Sequence, residues 1–265
     1  MLDTYLVYGL LAVAGWIAGT VLAVVIDRLP VRLLRTWTVE GYEQTGQQAQ
    51  ADAMREQPGP ELLDWSAVLT RIRGHVPNRS GPSGTVRRCR IVEAVSALLW
   101  VLTASTIGTG WVLVPALVLA STLTVLAFID LEHCMLPDQI TVPLIFLGLL
   151  VNTEAMFAPS LASAVWGAVA GYLALWWIRT AFKVITGKPE AVGLGDCKLL
   201  AMLGAWTGIE LLGQTVAIGS ACCIIYLILH QVGGSRPAGR RLAFGPWLAG
   251  GGLCSFYWGN LFSLL

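Results

Sequence analysis

Charge is scarce in this chain. Only 12% of its 265 residues are Asp, Glu, Lys or Arg, and the formal net charge is +1. A soluble domain of this size carries about twice that charged fraction, so a very apolar soluble α/β protein is excluded as the working class. The near-neutral balance excludes nucleic acid as a partner suggested by charge. The six cysteines, Cys89, Cys134, Cys197, Cys222, Cys223 and Cys254, contain no CxxC pair, so no zinc tetracysteine site is encoded. The first apolar run has no basic residue before it, only Asp3. It therefore reads as a first membrane helix and not as a removable signal peptide. No internal repeat is evident.

What the chain has instead is apolar length. Hydrophobic residues make up 55%, and eight apolar segments lie at about 5–26, 91–107, 112–129, 140–157, 161–178, 199–212, 216–232 and 242–264. Most approach the roughly 20 residues that cross a bilayer as a helix. Segment 199–212 is short for a span. Because helices satisfy their own backbone hydrogen bonds in lipid, the expected fold is an all-α integral membrane protein with about eight transmembrane helices and one cytoplasmic loop domain. Residues 1–30 are expected to hold the first helix, 31–90 the loop domain, and 91–265 a seven-helix membrane domain. Eleven tryptophans, several near segment ends, fit interfacial anchoring as well as ordinary core packing.

Basic residues set the expected orientation. Arg28, Arg32, Arg35, Arg55, Arg71, Arg73, Arg79, Arg87, Arg88 and Arg90 fall between the first two segments. Arg179, Lys183, Lys188 and Lys198 fall between the fifth and sixth, and Arg236, Arg240 and Arg241 between the seventh and eighth. Together these are all 17 Lys and Arg residues. The opposite side receives only Asp3, Glu154 and Glu210. The basic loops are thus expected in the cytoplasm and both termini on the other face.

Two acidic motifs lie at segment ends on that same cytoplasmic face. One runs from Phe128-Ile129-Asp130 to Leu136-Pro137-Asp138, and the other is Gly193-Leu194-Gly195-Asp196-Cys197-Lys198. Two whole segments separate Asp130 from Asp196, which returns the chain to one face and lets the carboxylates meet. Two carboxylates in one site do not both ionise freely, so such a pair holds one proton. Its ionised member can then take a proton from water while its protonated member polarises a peptide carbonyl. That chemistry requires neither metal nor cofactor.

Gly193 and Gly195 are expected to allow close backbone approach and unusual dihedrals beside Asp196. Alone, Asp196 reads equally as a helix cap. Asp138 is expected to cap the following helix or to shape the site, and Glu132 to be a solvated loop acid. His133 and Cys134 point about 100° apart on a helix and form no working pair. Cys197 reads as packing. A metal site on Asp130, His133, Asp138 and Asp196 lacks ligand spacing. The alternative function is an acid-dependent membrane carrier or ion channel, although a coupled carrier places its acids near the midplane.

These motifs, over nearly the whole chain, resemble the type IV prepilin peptidase family, the leader peptidases and N-methyltransferases of pilus and type II secretion systems. The block Gly15-Trp16-Ile17-Ala18-Gly19-Thr20, continuing to Arg28-Leu29-Pro30, is similar to the family's GSFLNVVIxRLP stretch. Arg35-Thr36-Trp37 through Glu40 resembles the basic–Trp–acid stretch that follows. Ile129-Asp130 and Leu136-Pro137-Asp138 to Thr141 match the ID-to-LPDxxT block, and Gly193 to Ala201, with Gly204-Ala205-Trp206 after it, matches GxGDxKLLA. Phe244-Gly245-Pro246 matches an FGP motif.

The resemblance implies that Asp130 and Asp196 are catalytic, with Gly193, Gly195, Asp138 and Lys198 shaping the site. It implies cleavage of a short basic leader from prepilins or pseudopilins, after a glycine and before a usually aromatic residue, at the cytoplasmic surface of the bacterial inner membrane. The substrate's own apolar helix then stays in lipid beside the enzyme. It also implies methylation of the new N-terminus with S-adenosylmethionine. Many members carry two CxxC pairs in the first loop. Here Arg71-Ile72-Arg73-Gly74-His75 occupies the matching region and only Cys89 remains. Residues 31–90 are the region expected to hold the methyl donor, and Gly74 is its candidate residue.

Overall fold

The structure, a computed structural model, describes residues 2–57, 59–63, 65–72, 84–187, 193–232 and 242–261. Among them every regular element is helical, as lipid requires of an apolar chain. Ten α-helices follow in order: α1 (Leu2–Gln44), α2 (Gln48–Glu56), α3 (Trp65–Ile72), α4 (Gly84–Ile107), α5 (Leu113–His133), α6 (Asp138–Thr153), α7 (Leu161–Thr186), α8 (Leu194–Thr207), α9 (Leu212–Val232) and α10 (Gly245–Trp258). Each of the eight apolar segments falls on one of these helices. Five stretches are long and apolar enough to cross a membrane: Tyr5–Gln44, Arg87–Ile107, Leu113–His133, Leu161–Thr186 and Ile209–Val232. The remaining three segments form shorter helices, α6 with 16 residues and α8 and α10 with 14 each.

The chain divides into two compact units, Met1–Val101 and Leu102–Leu265. In the first, α1 does not stop where its apolar run ends. It continues through Pro30 as one helix of 43 residues, keeping Leu29, Leu33 and Val39 buried. Arg35 donates to the carbonyls of Met54 and Gln57, closing the C-terminal end of α2. Asp27 sits between two guanidinium groups. Arg71 of α3 donates to its Oδ2 at 2.9 Å, and Arg88 of α4 pairs with its Oδ1. A carboxylate bridge thus ties α1, α3 and α4 together in the region where zinc cysteines are missing.

In the second unit, α8 is the centre. Leu199 through Gly208 are all buried, and α6, α7, α9 and α10 pack around them. A helix this short and this enclosed is a core element, which explains why its apolar run falls below spanning length. Glycines set the spacing. A Cβ on Gly204 would lie 2.2 Å from the Gly167 carbonyl oxygen, and one on Gly171 would lie 2.7 Å from that of Leu200. Small residues three or four apart let membrane helices approach backbone to backbone. Trp206 fills the other side of α8 against Gly148, and its Nε1 donates to the Leu144 carbonyl at 2.9 Å. Asn152 Nδ2 donates to the Ala205 carbonyl at 2.9 Å, so the polar groups of this core are largely paired within it.

Outside that core, Phe146, Leu150, Trp166, Trp177, Ile225 and Leu229 are exposed. Apolar side chains on the outer faces of these helices are what a lipid solvent selects. The α7–α8 approach gives a direct test. Gly204→Val puts side-chain atoms where the Gly167 backbone stands, and overpacking of this type costs about 1–3 kcal/mol. The unfolding midpoint in detergent is expected to fall accordingly. An unchanged midpoint would contradict the close contact.

Candidate functional site

The sequence of turns in the second unit gathers four helix ends. The C-terminal turn of α5 carries Asp130, and the chain then reverses at Cys134, whose backbone is left-handed (φ 50°, ψ 42°) and whose N–H donates to the Asp130 carbonyl at 2.8 Å. Leu136 and Pro137 lead into α6, where Asp138 is the first residue. Asp196 lies in the first turn of α8, and Gly245 is the first residue of α10.

Asp130 is 5% exposed. Its Oδ2 accepts the backbone N–H of Gly245 at 2.9 Å. That N–H is one of the orphan donors at the start of α10, so the carboxylate sits at the positive end of a helix. Gly245 is required there by space. A Cβ would come within 2.7 Å of Asp130 Oδ2 and 3.1 Å of its Cγ. Pro246 follows in the first turn of the helix, where a missing N–H is harmless.

Asp196 opens α8 at the same end of the unit, and its carboxylate acts on Asp130 as a like charge. It too is held by backbone, since its side chain accepts the N–H of Gly193, the N-cap of α8. An acid at the third helical position reaching back to the N-cap amide is one half of a capping box. Each acid therefore faces a helix N-terminus, α8 for one and α10 for the other. Both termini favour negative charge, which opposes the mutual repulsion.

Several expectations change on contact with this geometry. Gly193 and Gly195 use no unusual dihedral. Gly193 has φ −68° and ψ 145°, and Gly195 is inside the helix. Gly195 is small because Leu136 lies against it, so that a Cβ would meet the Leu136 side chain at 2.9 Å. Asp138 does not cap α6, because the cap position is Pro137 and no side chain bonds there. Instead, Asp138 holds Lys198 through both carboxylate oxygens, each 2.6 Å from Nζ. Lys198, two residues past Asp196, thus fastens the start of α6 to the start of α8. Glu132 belongs to the last turn of α5 and not to a loop, with Oε2 3.9 Å from His133 Nε2. Cys197 is fully buried, and its thiol donates to the Gly193 carbonyl at 3.6 Å.

The residue that sequence reasoning missed is Gly245. Its signal was present in Phe244-Gly245-Pro246, a glycine and proline opening an apolar run, but nothing in the run says which acid its amide meets. Among the described residues no group of three or more His, Cys, Asp or Glu side chains is arranged for a metal. Gly74, the candidate for methyl-donor binding, lies outside the described residues.

Comparison with known proteins adds a family to this geometry. The pattern of the type IV leader peptidase family matches residues 117–228, a stretch that contains Asp130, Asp138, Asp196 and Lys198. A prepilin leader peptidase/N-methyltransferase of Aeromonas salmonicida is 36% identical, covering 97% of this chain and 92% of its own. Proteins with that same name from Stutzerimonas stutzeri and Pseudomonas aeruginosa are each 34% identical. They cover 94% and 93% of this chain and 89% and 88% of their own. No solved structure matches the chain.

Proposed function

We propose that this chain, which belongs to the type IV leader peptidase family, removes the leader peptide from prepilin-type substrates and methylates the N-terminus that the cut exposes. The observation that carries the peptidase reading is the meeting of Asp130 and Asp196 at one end of the second unit, each bonded to a backbone N–H. The acids lie at helix ends and not at mid-helix, which favours hydrolysis at a surface over a coupled carrier.

The chemistry follows from one proton shared by two carboxylates. The ionised member accepts a proton from water as the water oxygen attacks the carbonyl carbon of the scissile bond. The protonated member donates to the carbonyl oxygen, where charge develops. Breakdown of the tetrahedral intermediate passes a proton to the leaving amine. The Gly245 amide keeps Asp130 oriented, and the Gly193 amide keeps Asp196 oriented. Gly193 leaves the space beside the Asp196 carboxylate free of a side chain, and Gly195 seats Leu136. The Asp138–Lys198 pair is partly exposed and shapes the rim of the site. A surface pair of this kind contributes little to stability, at most about 1 kcal/mol.

Placement in the membrane belongs to the same proposal. Eight crossings, by α1, α4, α5, α6, α7, α8, α9 and α10, put the basic loops and the acid pair at the cytoplasmic face of the inner membrane, with both termini periplasmic. Prepilins or pseudopilins are the substrates, their apolar helices remaining in the bilayer. Residues 31–90 serve methyl transfer and 91–265 the peptidase.

S-adenosylmethionine would supply the methyl group. One concave site among the described residues of the first unit, about 300 Å³ in volume, is lined by Arg32, Arg35, Arg55 and a single carboxylate, Glu40. A donor carrying both a sulfonium and an ammonium does not fit so cationic a lining, and no step of methyl transfer is routed through it.

Two experiments test the function. Asp130→Asn or Asp196→Asn is expected to lower leader removal about a thousandfold or more, with the protein still present in membranes, when each is co-expressed with a prepilin and read on a gel. Gly245→Ala is expected to lower turnover less severely, about ten- to a hundredfold, through a displaced Asp130. Full cleavage by either Asp variant would overturn the peptidase assignment. For the second activity, labelled methyl is expected on the mature N-terminal residue after incubation with donor. Mature substrate that stays unlabelled at saturating donor restricts the protein to proteolysis.

A further inference from the structure

The concave site on the first unit has a chemistry of its own. It is built where α1 runs past its apolar stretch and α2 folds back along it. Arg32, Arg35, Thr36, Val39 and Glu40 of α1 face Arg55 and the segment after α2. Two of the three guanidinium groups have structural duties. Arg35 closes the carbonyl end of α2, and Arg55 pairs with Glu43. Arg32 has no such duty: among the described residues its guanidinium has neither a hydrogen bond nor an ion pair, and it is exposed. A pocket with one committed cation, one paired cation and one uncommitted cation, opposed by a single lining carboxylate, selects an anion.

Position on α1 narrows the choice of anion. At about 1.5 Å per residue, Arg32 stands about 9 Å beyond Ile26 along the helix. The polar layer of a bilayer is about 5–8 Å deep on each side of the hydrocarbon, so the Arg32 backbone stands at its outer edge and the long side chain reaches back into it. The same stretch keeps Val31, Leu34 and Trp37 exposed, at 50%, 44% and 49%. Three and six residues apart, they form an apolar stripe beside the arginines, and a tryptophan is an interfacial side chain. Exposed apolar residues on one face of a spanning helix and arginines on another suit the level of the lipid headgroups. Thr36 and Glu40 add a hydroxyl and an acceptor on the same side of the pocket, suited to a headgroup that carries hydroxyls.

We propose that this pocket binds the phosphate of an anionic phospholipid headgroup, with Arg32 as the principal contact and phosphatidylglycerol as the matching class. The lipid then fastens the α1 extension and α2 to the membrane surface. Juxtamembrane basic pockets of this type recognise anionic lipid one arginine at a time.

Native mass spectrometry of the full chain in a neutral detergent tests it, with dioleoyl-phosphatidylglycerol as probe and dioleoyl-phosphatidylcholine as comparison. One retained phosphatidylglycerol is expected on the natural protein, and no comparable retention of phosphatidylcholine. Arg32→Gln is expected to weaken retention about fivefold, and Arg32→Lys to restore most of it. Arg90→Gln, an exposed arginine on α4 outside the pocket, is expected to leave retention unchanged. Equal retention by Arg32→Gln would overturn the site. Equal loss with Arg90→Gln would replace it with diffuse attraction. Displacement of the lipid by millimolar glycerol phosphate would overturn the lipid assignment in favour of a soluble phosphate.

Discussion

The site depends on a balance between two like charges and two helix ends. Asp130 and Asp196 act on each other as like charges. Each is met by a backbone amide, Gly245 on one side and Gly193 on the other. Those amides open helices whose N-termini favour negative charge. One charge and one proton is the state that the proposed acid–base reaction needs of the pair.

That balance requires several helices to end at the same place, and the core of the second unit arranges it. α8 is short and enclosed from Leu199 onward, and the packing of α6, α7, α9 and α10 around it fixes where its first turn stands. Gly167, Gly171 and Gly204 bring the α7 and α8 backbones together. Gly195 admits Leu136, which seats the turn after α5 on the start of α8. The Asp138–Lys198 bridge then links α6 to α8 at the rim. The first unit solves a different problem. It lacks the paired cysteines that would staple a loop with zinc, and Asp27 with Arg71 and Arg88 joins three helices in their place.

Much of this was legible in the sequence, and the missing parts share a cause. Hydropathy located all eight apolar segments, because burial in lipid or core needs runs of apolar residues whichever neighbour covers them. It did not separate lipid-facing helices from the enclosed α8, since the two environments select the same side chains. It ended α1 near residue 30, where apolar residues give way to arginines, while the backbone has no reason to stop there and continues to Gln44. The acid pair was expected because an acid at the end of an apolar segment is costly and the two whole segments between Asp130 and Asp196 return the chain to where it started. Asp138 was expected, from its neighbours in sequence, to cap α6 or to shape the site, and its partner is Lys198, 60 residues away. Gly245 was missed for the same reason. Contacts between helices leave only weak local marks, and here the mark was the absence of a side chain.

Cross-linking tests the central claim most directly. In a chain whose own cysteines have been replaced, Asp130→Cys and Asp196→Cys together should join in intact membranes under mild oxidation or with a short dithiol-reactive reagent, and neither single variant should do so within one chain. Rapid joining of 130 to 196 is the predicted result. No joining at all, with both thiols shown to be reactive, would contradict the account.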